Sequence, residues 1–257
     1  MRLLASFHRW WGVVFSLLFA MWFASGIVMH FVPFPARSEQ PLASIDMSHA
    51  TTRQIDYDQW TIGGDFDADR PLKRIELNDA AGTEIYISSA SGQVVLATAR
   101  NERLLNYAGS VAHWLYATEV RHHKLAWSRL MWWLSLLATI GALLGVLLGL
   151  VRLGTGPAYQ GLQRWHHILG LIVAPFVISW IFSGFLSMET GLLGDSDTWF
   201  RALHKFEIEP FVSHPRLRSA AIVVLSLCGL FFSLTGVLLA WRRVITSGTA
   251  KQRPFRR

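Results

Sequence analysis

A single cysteine, Cys228, occurs in 257 residues. Its isolation excludes disulfides, thiolate zinc sites, cysteine-held iron–sulfur clusters and covalent Cys-x-x-Cys-His haem attachment. Charge is also scarce, with Asp, Glu, Lys and Arg at 16% against 52% hydrophobic residues and a mean hydropathy of +0.32. That balance excludes a disordered chain and most soluble enzymes. There is no dinucleotide fingerprint, glycine-rich phosphate loop or flavin motif. The formal charge of +7 falls mainly beside the apolar blocks, where membrane topology explains it better than nucleic acid does.

What the chain does have is four uncharged apolar runs, residues 10–32, 130–151, 165–188 and 219–241, each long enough to cross a bilayer. The first has too long an apolar core for a signal peptide and no clean cleavage site, so it reads as an uncleaved helix. No carboxylate or base lies mid-span to mark an ion path, which argues against a transporter. Arg2 and Arg9 precede the first run, Arg152 and Arg164 bracket the second connection, and Arg242, Arg243, Lys251, Arg253, Arg256 and Arg257 follow the last. By the positive-inside rule both termini are cytoplasmic, and the acids, Asp46 to Glu84 among them, lie outside.

These runs divide the chain into transmembrane segments 1–34, 129–152, 165–189 and 217–243, a soluble insert 35–100, an interfacial helix with its connector 101–128, a connector 190–216 and a basic tail 244–257. Within the insert, three alternating or β-branched stretches beginning at Arg74, Thr83 and Gln93 read as an antiparallel meander. A short helix is expected around residues 51–60. The insert is small enough that it is expected to lean on the membrane part for its core. The stretch 101–116 reads as an amphipathic surface helix with Leu104, Leu105, Ala108, Val111, Ala112 and Leu115 on its apolar side.

The sequence also repeats. One constant offset places His8 on His166, Gly12 on Gly170, Trp22 on Trp180 and Ser25-Gly26 on Ser183-Gly184. A second places His113 on His204, His123 on His214 and Gly145 to Leu148 on Gly236 to Leu239. Two spans per half keep both halves in one orientation, implying a pseudo-two-fold axis along the membrane normal. Such an axis turns scattered histidines into facing pairs, and an iron porphyrin needs two neutral imidazoles on opposite faces. His8 with His166 at the inner end, and His113 with His204 at the outer end, are therefore candidate ligands for two b-type haems.

Arg9 and Arg164 are candidate propionate partners. Trp10, Trp11, Trp22, Trp165 and Trp180 are candidate walls. His167 competes with His166, His123 and His214 form a further matched pair, and His30 is matched with Met188. The Gly141, Gly145, Gly149 series reads most simply as close helix packing.

Phe7-His-Arg-Trp-Trp-Gly12, Arg164-Trp-His-His-Ile-Leu-Gly170, Trp180-Ile-Phe-Ser-Gly184 and Ala202-Leu-His204, around an insert with Ser91-Gly-Gln-Val-Val, resemble the PepSY-associated transmembrane family. The resemblance implies an all-α membrane bundle of four transmembrane helices, as two tandem two-helix repeats, with a small periplasmic β-rich PepSY-like insert. It further implies a multi-pass protein of the bacterial inner membrane that carries two haem b groups and reduces ferric siderophores or other ferric chelates for iron uptake. A quinol or cytoplasmic reductant would be its donor, and His8, His166, His113 and His204 would be the family's ligands. A different class of function is a non-enzymatic PepSY-type anchor or regulatory module for a periplasmic partner protein. Reporter fusions after residue 164 and at the C-terminus are expected to report cytoplasm, and fusions near residues 82 and 195 periplasm. An external C-terminus would overturn the repeat as well.

Overall fold

The structure is a computed structural model that describes residues 2–37, 48–155, 159–187 and 196–250. In chain order it forms α1 (Arg2–Phe31), β1 (Thr51–Ile55), a 3-10 turn (Gly64–Asp69), β2 (Leu72–Glu76), β3 (Glu84–Ser88) and β4 (Val94–Thr98). There follow α2 (Arg100–Asn106), which continues through a π turn (Tyr107–Val111), α3 (Thr118–His122), α4 (Lys124–Thr155), α5 (Gly161–Leu186), α6 (Ser196–His204) and α7 (Pro215–Ala250). Met1–Ile27 with Ser128–Arg257 forms one unit and Val28–Trp127 a second.

Four helices, α1, α4, α5 and α7, are long and apolar enough to cross a membrane. Their surfaces invert those of a soluble bundle, since Leu17, Ile172, Leu147 and Leu227 are all more than half exposed. Helices satisfy their own backbone, and lipid is an adequate solvent for such side chains. Helix α1 begins before the first apolar run, and α7 carries on past Arg243 to Ala250, so the expected tail 244–257 starts as helix.

Within the first unit, Phe15, Phe23, Ala138, Val173, Val177 and Ile181 form the core. Burial recurs at repeat-matched positions: Phe15 with Val173, Phe23 with Ile181, Met131 with Ile222, Ser25 with Ser183, and Ser135 with Ser226. Glycines set the closest approaches. A Cβ on Gly229 would lie 2.5 Å from Phe23, and one on Gly141 would lie 2.3 Å from Trp11. The expected packing role of Gly141 therefore holds between α4 and α1.

In the second unit the strands form an antiparallel meander in the order β1-β2-β3-β4. The three expected stretches are β2, β3 and β4. Residues 51–55, expected as part of a helix, are the edge strand β1, because Thr51 to Ile55 pair with Glu76 to Leu72 and the β-branched threonines suit an edge. All five residues of β3 are buried, since the sheet is covered on both faces. One cluster holds Trp60, Phe66, Leu72, Tyr86, Val95 and Leu96; the other holds Ile75, Ile85, Ile87 and Val94. The insert thus builds apolar clusters of its own.

At Gly82 (φ +60°) the turn into β3 is left-handed, and a Cβ there would meet Arg100 at 2.8 Å. Asp79 braces the same turn through the Thr83 N–H at 2.8 Å and the Thr83 hydroxyl at 2.7 Å, which holds its carboxyl below the usual range.

An ion network crosses the sheet. Arg74 bonds Glu76 and Glu84, each at 2.9 Å, Arg103 of α2 reaches Glu84 at 3.0 Å, and the buried Tyr86 hydroxyl donates to Asp58 at 2.7 Å. Burial, and then the Asp58 carboxylate, push the Tyr86 hydroxyl well above its ordinary pKa. A raised native pKa contributes stability below the unfolded value near 10, and that stability is lost as pH climbs past it. Tyr86→Phe is expected to cost about 1 kcal/mol at neutral pH and to flatten the alkaline loss. Hydrogen exchange of the β3 amides in the full-length protein measures both.

Candidate functional site

Histidines gather at one end of the first unit, and each ring lies on a glycine of a neighbouring helix. His8 of α1 presses on α4 at Gly145, where a Cβ would sit 2.7 Å from its Cε1. His166 of α5 faces Gly236 of α7, with Cε1 3.5 Å from the corresponding position. The repeat that matches the two histidines also matches the two glycines. The Gly145 match, seen first as part of a packing series, was thus a legible signal of a histidine contact.

The second ring nitrogens differ. Thr235 donates its only hydroxyl proton to the Phe232 carbonyl at 2.6 Å, so its oxygen, 2.9 Å from His166 Nδ1, must accept. His166 therefore carries its proton on Nδ1 and its lone pair on Nε2, the arrangement that ligates a metal. Phe232 stacks on the same ring at 4.8 Å. In the first half the match of Thr235 is Leu144, which offers no hydroxyl. His8 Nδ1 is buried and, among the described residues, makes no hydrogen bond of acceptable geometry, although the Gly141 backbone lies nearby.

His167 is occupied otherwise. A carbonyl only accepts, so His167 Nε2 donates to Gly149 O at 2.9 Å, tying α5 to α4, while Tyr159 meets the ring edge at 5.3 Å.

The outer candidates share a backbone device. Leu115 and Phe206 both have positive φ, at 48° and 56°. Tyr116 N–H donates to Val111 O and Leu115 N–H to Ala112 O; Glu207 N–H donates to Ala202 O and Phe206 N–H to Leu203 O. These are two Schellman closures at matched positions, and each places its histidine, His113 or His204, in the last helical residue before the cap. A non-glycine residue in the left-handed region costs about 1–2 kcal/mol, and both closures accept it.

His204 belongs to the first unit. Its ring lies 3.1 Å from the Cβ position of Gly184, and its Nδ1 donates to the Trp180 carbonyl at 2.9 Å. Burial keeps it below its usual pKa, as neutral imidazole. His113 belongs to the second unit. Its helix, expected over 101–116, ends earlier, at His113, and of its apolar side Leu104, Leu105 and Ala108 are exposed. Leu104 and Leu105 are 60% and 46% exposed, while Asn106 and Ser110 are fully buried. The polar pair turns inward because Asn106 donates to the Pro33 carbonyl at 3.1 Å and accepts from Ser110 at 2.9 Å.

The remaining candidates scatter. His123 is exposed beside His122, which stacks on Tyr57. His214 is exposed at a turn, with Nδ1 3.1 Å from Pro210 O. His30 ends α1 beside Phe31, and its match Met188 lies outside the described residues. Arg9 and Arg164 are exposed, with Arg9 Nε donating to Ala5 O. Trp10 and Trp165 are 50% and 59% exposed, so of the expected walls only Trp11, Trp22 and Trp180 pack in the core.

No family model, curated protein or solved structure matches this chain.

Thr235→Val is expected to release His166 into mixed tautomers, whereas Thr235→Ser keeps the Nδ1–H form. Histidine nitrogen chemical shifts of the ligand-free protein distinguish them, and a fixed tautomer in Thr235→Val would contradict the assignment.

Proposed function

We propose that this chain is a haem b-containing membrane electron-transfer protein akin to the PepSY-associated transmembrane family. In this reading it lies in a bacterial inner membrane with both termini cytoplasmic. It passes electrons from a quinol or cytoplasmic reductant to a ferric siderophore or other ferric chelate at the periplasmic side, as a ferric reductase. One observation carries the reading: His8 and His166, matched by the repeat, are held against the matched glycines Gly145 and Gly236.

The residues fit a porphyrin iron on two grounds, the unanswered buried His8 Nδ1 and the glycine surfaces that a Cβ would fill. When bound, the haem supplies one-electron ferric–ferrous chemistry, and the protein tunes it. Thr235 keeps the proton on His166 Nδ1 and so leaves the lone pair on Nε2 for a ligand bond. Phe232, stacked on His166, and Trp11, over Gly141 one turn from Gly145, make the surroundings apolar. At the outer side His204, neutral and anchored by Trp180 O, is the first ligand proposed, and the repeat pairs it with His113.

Full-length protein purified after haem-sufficient expression is expected to show a low-spin Soret spectrum with two haems by pyridine haemochromogen. His8→Ala and His166→Ala should each remove one haem, and His167→Ala neither. His113→Ala and His204→Ala should bleach the other haem and abolish ferric-chelate reduction. Colourless, folded wild-type protein would sink this reading and leave the anchor or regulatory module.

A further inference from the structure

Two helical turns beyond each histidine-bearing glycine, the repeat carries an arginine: Arg152 after Gly145 and Arg243 after Gly236. Seven residues return a helix to nearly the same face about 10.5 Å further along. The two arginines are thus related by the same offset as the surfaces that hold His8 and His166.

Each guanidinium is fixed by an aromatic ring from another segment. Arg152 lies 4.6 Å over Tyr159 and Arg243 lies 5.3 Å over Trp10. Both are half-buried, whereas Arg9, Arg164 and Arg242 are exposed. Arg152 Nε is buried and lacks a hydrogen-bond partner among the described residues. Residues 1–38, 120–188 and 210–257 contain no Asp or Glu, so these segments offer Arg152 no carboxylate side chain. A guanidinium lying on a ring still presents the edge of its donor fork, which suits bidentate binding of carboxylate.

We propose that Arg152 and Arg243 are the paired carboxylate-binding groups of the inner site and hold the two propionates of its haem. The assignment rests on the haem reading above and takes the place of Arg9 and Arg164. A ligand with iron at its centre and two carboxylates along one edge matches two imidazoles and two guanidiniums related by one repeat. Tyr159 and Trp10 set the height of each fork.

The test uses the full-length haem-loaded protein and two readouts, the rate of haem transfer to apomyoglobin and the midpoint potential. R152Q and R243Q are each expected to speed haem loss about tenfold or more, as befits a lost hydrogen bond to a charged group. Each should also lower the potential, because a nearby cation favours the less positive ferrous centre. R152K and R243K keep the charge that fixes topology but not the fork, and should lose haem several-fold faster than wild type. R9Q and R164Q should match wild type in both readouts.

Wild-type loss rates and potentials in the Lys variants and in any Gln variant that inserts would overturn the proposal while leaving the haem reading intact. So would an effect confined to R9Q and R164Q, or altered phospholipid retention with unaltered haem, which would assign the arginines to headgroup phosphate. Haem-free wild-type protein would overturn the underlying reading itself.

Discussion

An apolar bundle has no water with which to answer a polar side chain, and that constraint organises the four long helices. Most polar groups are answered within the helix that carries them. Ser25 returns to Met21 O, Thr139 to Ser135 O and Ser233 to Gly229 O, so these hydroxyls are buried at little cost. The histidines are too long for that solution and reach to a neighbouring helix, His166 to Thr235 and His167 to Gly149 O. What remains on α1 is His8 Nδ1, Trp11 Nε1 and Ser16 Oγ, all buried and unanswered among the described residues. Each such group costs about 1–3 kcal/mol.

The duplicated halves keep their geometry where it matters to the histidines and trade volume elsewhere. In the first half a large residue on α1, Trp11, fills the space over Gly141 of α4. In the second the match of Gly141 is Phe232 of α7, and it fills the space over Gly170 of α5. The ring over the glycine thus comes from α1 in one half and from α7 in the other. The exchange of Leu144 for Thr235 is different in kind, because it gives one histidine a fixed tautomer and leaves the other, among the described residues, without a hydrogen-bond partner for Nδ1. Two histidines alike in sequence are therefore unlike in chemistry.

The second unit follows soluble rules. Its sheet is covered on both sides, and its charges are paired across strands through Arg74 and Arg103, with Glu84 as the shared carboxylate. Removing either arginine would leave a nearly buried acid exposed to the desolvation cost that the network offsets.

Hydropathy and repetition in the sequence determined four long apolar helices, the meander of β2 to β4, the matched histidine pairs and the placing of charge beside the spans. All of these are properties of composition and period along one dimension. The strand at residues 51–55 was hidden, because an edge strand is defined by its partner β2 more than by its own polar residues. The inward turn of Asn106 was hidden for the same reason, since it depends on a carbonyl seventy-three residues away that accepts from it. Only the tertiary structure decided which side of each histidine meets a glycine and which nitrogen of His166 donates to Thr235. It alone decided that Arg152 and Arg243, rather than Arg9 and Arg164, are held half-buried on aromatic rings. Those outcomes depend on which helices become neighbours, and neighbourhood is set by packing in three dimensions.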